Sequence, residues 1–188
     1  MVVIWGNQLK EASAESVDDF IFMTEAYPPL NFEQEGKLQG IAVDIMVLML
    51  EKVGSTLSRE DIQLLAWARG YEEVQKQEHT CLFSTTKTAE RTPLFKWVGP
   101  ILTSRNVLIA RKDRHISIQS IEDLKNYEIG VVINDIGEQL LLQTGFDIQD
   151  LQRVGGTDAT MKNILKLNAG RIDLWSYGEI VANWELKS

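Results

Sequence analysis

The sequence predicts an α/β protein of two lobes facing a cleft. Short apolar runs of strand length alternate with longer segments of helical period, and glycines and prolines stand at the boundaries between them. An extended stretch from Gly99-Pro100 to Arg111 then separates one such set from a second, which gives two lobes rather than one.

Phe20-Ile-Phe-Met-Thr24 reads as a buried strand that stops at Tyr27-Pro28-Pro29, because consecutive prolines cannot continue a ladder and hold the loop in one shape. Asn31-Phe32 and Lys37-Leu38 flank Glu33 to Gly36, a hairpin turn with Gly36 free to take a positive φ. Ile41 to Val53 is a helix apolar on nearly all sides, ended by Gly54. Ile62 to Trp67 and Thr80 to Phe83 are strand-like runs around the helix-compatible Tyr71 to Gln77, a β-α-β rhythm that implies parallel pairing. In the second set, Val107 to Ala110 and Ile129 to Ile133 are strands, with Ser120-Ile-Glu-Asp123 between them as a capping-box helix start. Asp135 to Thr144 is a helix stopped by Gly145, Met161 to Asn168 an amphipathic helix, and Ile172 to Trp175 a strand after Gly170.

Composition narrows the function classes. A chain of 188 residues that is 44% hydrophobic and 24% charged, with 4 Pro and 13 Gly, belongs among folded globular proteins. Asp and Glu outnumber Lys and Arg by 27 to 19, and the net charge of −8 disfavours nucleic acid and anionic membranes as partners. Cys81 has no partner for a disulfide, and no CxxC or HExxH spacing exists, so neither a metal nor a cofactor is expected. No apolar run approaches the ~18 residues of a membrane span; the longest, Val43 to Leu50, is interrupted by Asp44. Met1 to Trp5 followed by Ala12-Ser13-Ala14 reads either as the stub of a secretory signal, lacking its basic segment, or as an ordinary terminus.

Catalysis finds little support. His79 and His115 lie in polar, loop-like stretches away from any nucleophile motif, and His79 with Cys81 on one strand face is a weak thiol-enzyme signal. The chain is expected not to be an enzyme. The stretch that draws notice is Ser84-Thr-Thr-Lys-Thr-Ala-Glu-Arg91, a hydroxyl-rich loop directly after a buried strand. Open α/β sheets bind ligands outside the carboxyl ends of their strands, and an Arg there can fork onto a carboxylate. On residue types alone the plainer reading is that the hydroxyls cap a helix and Arg91 is solvated.

Resemblance shifts that balance. Thr24-Glu-Ala-Tyr27-Pro-Pro-Leu-Asn-Phe32, Gly40-Ile-Ala-Val-Asp44, Thr86-Lys-Thr-Ala-Glu-Arg91, Phe95-Lys-Trp-Val-Gly-Pro100, Gly130-Val-Val and Gly170-Arg-Ile-Asp173 follow one another in an order similar to the type II periplasmic solute-binding proteins. More narrowly, the chain resembles their polar amino-acid-binding group, bacterial family 3. The resemblance, from about Phe20 to Glu179, implies that Arg91 clamps a ligand carboxylate, with Ser84 and Thr86 as hydroxyl or backbone contacts beside it. It implies that Tyr27 and Trp67 stack on the ligand, Trp67 being equally readable as core, and that Glu25 meets a ligand cation. Arg69 either points a second positive charge into the cleft or is surface, and Asp44 is a structural acid.

Two departures stand out. Where relatives carry a small hydroxyl residue after the Gly130 strand, this chain has Asn134-Asp135-Ile136, and where they carry an amine-holding Asp, it has Gly178 beside Glu179. Relatives also continue through more second-lobe structure and back across the hinge. The expected layout is therefore 1–19 an N-terminal extension or signal remnant, 20–103 the first lobe, and 104–188 an incomplete second lobe. The expected function is periplasmic capture of an amino acid or related carboxylate by hinge closure, as a monomer, for an ABC importer permease. The alternatives are a sensory or targeting module of a larger protein and, more remotely, a dehydratase-like enzyme using cleft carboxylates.

Overall fold

The structure, a computed structural model, describes residues 16–187; the signal-like Met1 to Trp5 and Ala12 to Ala14 lie outside them. The first lobe is built on strand β1 (Ile21–Thr24), which pairs in parallel with β4 (Gln63–Leu64) on one side and β5 (Thr80–Leu82) on the other. The strands are parallel, as the β-α-β rhythm implies, but β4 and β5, joined by helix α2 (Trp67–Lys76), flank β1 in the order β4-β1-β5 rather than pairing with each other. A hairpin, β2 (Phe32–Gln34) and β3 (Lys37–Gln39), turns at Glu35 and Gly36, both at positive φ, so the turn is two residues shorter than its sequence suggests.

Helix α1 (Ile41–Lys52) starts at Gly40, whose φ of 125° and close packing require glycine: a Cβ there would lie 2.3 Å from the Leu30 carbonyl oxygen. That packing brings the start of the helix against the loop that carries Tyr27. Phe22, Leu30, Ala42, Val43, Met46, Leu50, Ile62 and Phe83 form the first-lobe core.

The second lobe is a four-stranded sheet in the order β6-β9-β7-β8, with β6 (Asn106–Ala110) antiparallel to β9 (Leu174–Gly178), while β7 (Ile129–Val132), β8 (Leu151–Val154) and β9 are parallel. Helices α3 (Ile136–Gln143), α4 (Ala159–Asn168) and α5 (Glu179–Glu185) follow β7, β8 and β9. The Ser120 to Asp123 box is present as reciprocal bonds: the Asp123 carboxylate accepts from the Ser120 amide, and the Ser120 hydroxyl from the Asp123 amide. It opens only a five-residue 3-10 turn, Glu122–Asn126.

Two strand expectations are corrected. Trp67 does not extend a strand but opens α2, because the apolar run from Ile62 crosses a two-residue strand and a connector before the helix begins. The strand read at Ile172 to Trp175 lies at Leu174–Gly178, since Asp173 is drawn out of it by an ion pair with Arg114. β8 and α5 were not legible.

The parallel strands of both lobes run so that their carboxyl ends meet. A third apolar cluster crosses from one lobe to the other there: Trp67 and Tyr71 pack with Val132, Val154, Trp175, Tyr177 and Val181. The two lobes are closed on each other.

Candidate functional site

Between the lobes the strand ends enclose a small cavity. It is lined by Glu25 and Ala26 after β1, Ala66 and Trp67 after β4, Val132 at the end of β7, Gly156 and Thr157 after β8, Thr160 on α4, and Tyr177 near the end of β9. This is where open α/β sheets offer ligand sites. Its volume is about 10 Å³, room for roughly one water, so any larger guest requires the lobes to part. A broader groove of about 420 Å³ on the flank of α5, lined by Pro29, Ile180, Asn183, Trp184 and Lys187, contains no acid.

Arg91 ties the seam together. It is 1% exposed. Its backbone amide is held by the Thr88 hydroxyl at 3.2 Å, and one terminal nitrogen donates to the Thr86 carbonyl at 3.2 Å. The other donates at 3.0 Å to the carbonyl of Asn134, which belongs to the opposite lobe. The guanidinium carbon lies 5.1 Å from the Trp67 ring centre and 5.0 Å from that of Tyr71, within cation–π range of two rings stacked on each other. Asn134 is set in the left-handed region, φ 61°, and its amide donates to the buried Glu138 carboxylate at 2.7 Å; Glu138 is paired in turn with Arg153. The receiving carbonyl is thus aimed at Arg91 by the Glu138–Arg153 ion pair behind it.

The other expected residues divide. Trp67 lines the cavity with its indole N–H buried and unbonded. Glu25 lies half-buried on the cavity wall, and its backbone carbonyl accepts from the Asn31 side chain. Tyr27 packs edge-on against Tyr177, ring centres 5.4 Å apart. Thr86 contributes its carbonyl rather than its hydroxyl, which the sequence could not distinguish. Ser84 sits at φ 62° with its hydroxyl buried and unbonded. Arg69 is corrected to surface: on the outer face of α2 its side chain is 67% exposed and bonded to Glu73 at 2.7 Å, one helical turn on.

Sequence reasoning missed Tyr71, Asp135, Thr160 and Tyr177 as site residues. Tyr177 is 1% exposed and its hydroxyl shares a hydrogen bond of 2.9 Å with Thr160. Asp135 precedes α3, is 7% exposed, and has one carboxylate oxygen buried without a partner. An acid at a helix start after a buried strand is a signal in itself, but one that reads as a cap.

Electrostatically the seam holds one cation among two acids. Burial pushes the Glu25 carboxyl well above its ordinary value, and Asp135 pushes it further, while Arg91 pulls it part of the way back. Burial also raises Asp135, against the opposing pull of the Ile136 amide, the Arg91 charge and the Gly137 amide. Both tyrosine hydroxyls are driven upward, chiefly by burial, and stay neutral donors.

The native protein therefore binds these carboxyl protons more tightly than the unfolded chain does. The resulting stability is full below the unfolded values and is lost as pH rises through the raised folded ones. Exposed acids such as Asp61 and Asp123, lowered by hydrogen bonds, act in the opposite sense below that window. We expect the melting temperature of the protein without solute to fall as pH rises above the ordinary carboxylate range, and Glu25→Gln to flatten that fall. A parent curve that rises over the same interval, unchanged by Glu25→Gln, would contradict the assigned burial.

The site offers donors, acceptors and ring edges, an arrangement that can hold a small solute. Among the described residues no group of three or more His, Cys, Asp or Glu is placed to hold a metal ion, and no helix is long and apolar enough to cross a membrane.

Residues 20–168 match the family described as bacterial extracellular solute-binding proteins, family 3. The arginine-binding extracellular protein ArtP of Bacillus subtilis is 24% identical over 166 residues, covering 86% of this chain and 61% of that protein. Among solved structures, an ancestral arginine-binding protein bound to arginine superposes with a TM-score of 0.73 at 23% identity, over 88% of this chain and 72% of its own. The arginine-, lysine-, histidine-binding protein ArtJ of Geobacillus stearothermophilus gives 0.75 at 22% identity, over 89% and 70%. At these identities the structural likenesses speak for the fold.

Proposed function

The chain belongs to the bacterial extracellular solute-binding proteins of family 3, and from that membership we propose that it captures a small polar solute, an amino acid or a close chemical relative, between its lobes. Capture takes place outside the cytoplasm by hinge closure, for delivery to the permease of an ABC importer. The observation that carries the reading is Arg91: a buried guanidinium from the first lobe that reaches across to the Asn134 carbonyl of the second, at the meeting point of the strand ends. A solute entering the seam must part the lobes and meet Arg91, Glu25, Tyr27 and Trp67 together, with Ser84 and Thr86 on the adjoining loop. Water leaves as the lobes close, which strengthens each polar contact made there.

The test is a thermal-shift screen of the chain against the common amino acids and their amine and carboxylate relatives. At a ligand concentration near 100 times its dissociation constant, binding adds about 2.7 kcal/mol, which for a chain of this size raises the melting temperature by roughly 5–10 °C. One chemical class is expected to give that shift and the others none. A cooperative melt that no solute moves would sink the capture reading.

A further inference from the structure

The lobes are shut more tightly than a solute allows. The cavity between them has a volume of about 10 Å³. Beside Trp67, which lines it, Arg91 commits one terminal nitrogen to the Asn134 carbonyl of the opposite lobe, at 3.0 Å. Parting the lobes breaks that bond and returns the nitrogen to the guanidinium fork, which can then receive a carboxylate. The Asn134 carbonyl therefore holds the donor that a guest would take, and this shut form competes with capture.

What places that carbonyl lies behind the seam. Asn134 sits at φ 61°, and its amide donates at 2.7 Å to Glu138 in the first turn of α3. Glu138 is 2% exposed, is not among the residues that line the cavity, and is bonded through both carboxylate oxygens to Arg153 of β8. A buried ion pair adds little stability over apolar residues of the same size, so what this one supplies is a fixed position for Asn134. The start of α3 is also held from the sheet side. A Cβ on Gly137 would lie 2.7 Å from the Ser176 carbonyl oxygen. The Ser176 hydroxyl donates to the Gly137 carbonyl at 3.3 Å and accepts at 2.8 Å from the side chain of Asn106, the first residue of β6. The Asn134 loop thus moves with its whole lobe. We propose that Glu138 is a positioning residue: paired with Arg153, it holds the Asn134 carbonyl as a latch on Arg91 in the shut form, and the strength of that latch sets how tightly the protein binds a solute.

The inference rests on the reading that the seam takes up a solute, and two measurements separate the two. Solution scattering without solute reads the latch alone. Glu138→Ala removes the acceptor of the Asn134 amide, and Asn134→Val puts a β-branched residue where the backbone is left-handed; both are expected to enlarge the radius of gyration. Asn134→Gly keeps the carbonyl and takes the same φ freely, and should match the parent. Calorimetric titration then uses L-arginine and L-glutamate as probes. Whichever probe the parent binds should bind several-fold more tightly, up to about tenfold, to Glu138→Ala and Asn134→Val, because less of the protein is held shut against it, and with parent affinity to Asn134→Gly. A merely structural role would lower the melting temperature of Glu138→Ala without tightening binding, and a cooperative melt verifies that each variant is folded. Folded Glu138→Ala and Asn134→Val proteins with the parent's radius would overturn the inference and leave the capture reading intact, as would an Asn134→Gly protein as open as they are. If the radii respond as expected and neither probe binds any of the four proteins, the latch stands and capture of an amino acid is what fails.

Discussion

Gly178→Ala is expected to wedge the two lobes apart. A Cβ at position 178 would lie 1.7 Å from the Tyr27 hydroxyl oxygen and 2.9 Å from the ring carbon that bears it, closer than non-bonded atoms approach. Gly178 has φ −65° and ψ 128°, which alanine adopts without strain, so the effect is one of space alone. Tyr27 has little room to yield. Its backbone is fixed by bonds to and from Asn31, and its ring lies edge-on against the fully packed Tyr177. Because Tyr27 belongs to the first lobe and Gly178 to the second, relief comes most directly by opening the seam. We expect a loss of about 1–3 kcal/mol in stability, the usual cost of overpacking, together with a larger radius of gyration in solution scattering. Tyr27→Ala should remove most of the effect, so that the double variant is less destabilised than the sum of the singles. A Gly178→Ala protein with unchanged melting and unchanged radius would mean that the seam is not closed in solution.

That same contact shows where the sequence was and was not informative. The buried runs Phe20 to Thr24 and Ile129 to Ile133 were legible because a strand covered on both faces needs uninterrupted apolar residues, and the common direction of β4 and β5 followed from the helix between them. Arg91 was legible only through the resemblance of its loop to a family pattern; by residue type it read as surface, yet it is among the most buried side chains of the protein. β8 escaped notice because Gln152 and Arg153 break its apolar pattern, and Arg153 is there to pair with Glu138. The orientation of Arg69 depended on where α2 begins. Once Trp67 is the first helical residue, Trp67 and Tyr71 take the inner face and Arg69 with Glu73 the outer. Asp135 read as part of a loop differing from the resembled pattern, and the mutual influence of the Glu25, Arg91 and Asp135 charges, distant in sequence, appears only in the folded chain. Charge clusters of this kind are tertiary facts, which no local periodicity encodes.

Arg91→Ala is expected to be the most damaging single change in the seam. Removing the guanidinium leaves the Thr86 and Asn134 carbonyls without their donor, opens space beside Trp67 and Tyr71, and leaves Glu25 and Asp135 with no opposing charge. Breaking a buried charge arrangement by deleting one partner costs about 3–5 kcal/mol, and the lower end applies if water enters as the lobes loosen. The acids would then be raised further, so the decline in stability with rising pH should become steeper than in the parent. As pH falls and the two carboxyls take up protons, the variant should recover part of its deficit. Arg91→Lys keeps a positive charge but not the fork that spans Thr86 and Asn134, and is expected to fall between the two. Adding Glu25→Gln to Arg91→Ala should restore stability at neutral pH, because one uncompensated charge has gone. Denaturant melts of the four proteins across pH check each step. Equal losses at acidic and neutral pH, with Glu25→Gln giving no rescue, would show that Arg91 contributes packing and hydrogen bonds alone and does not balance the two acids.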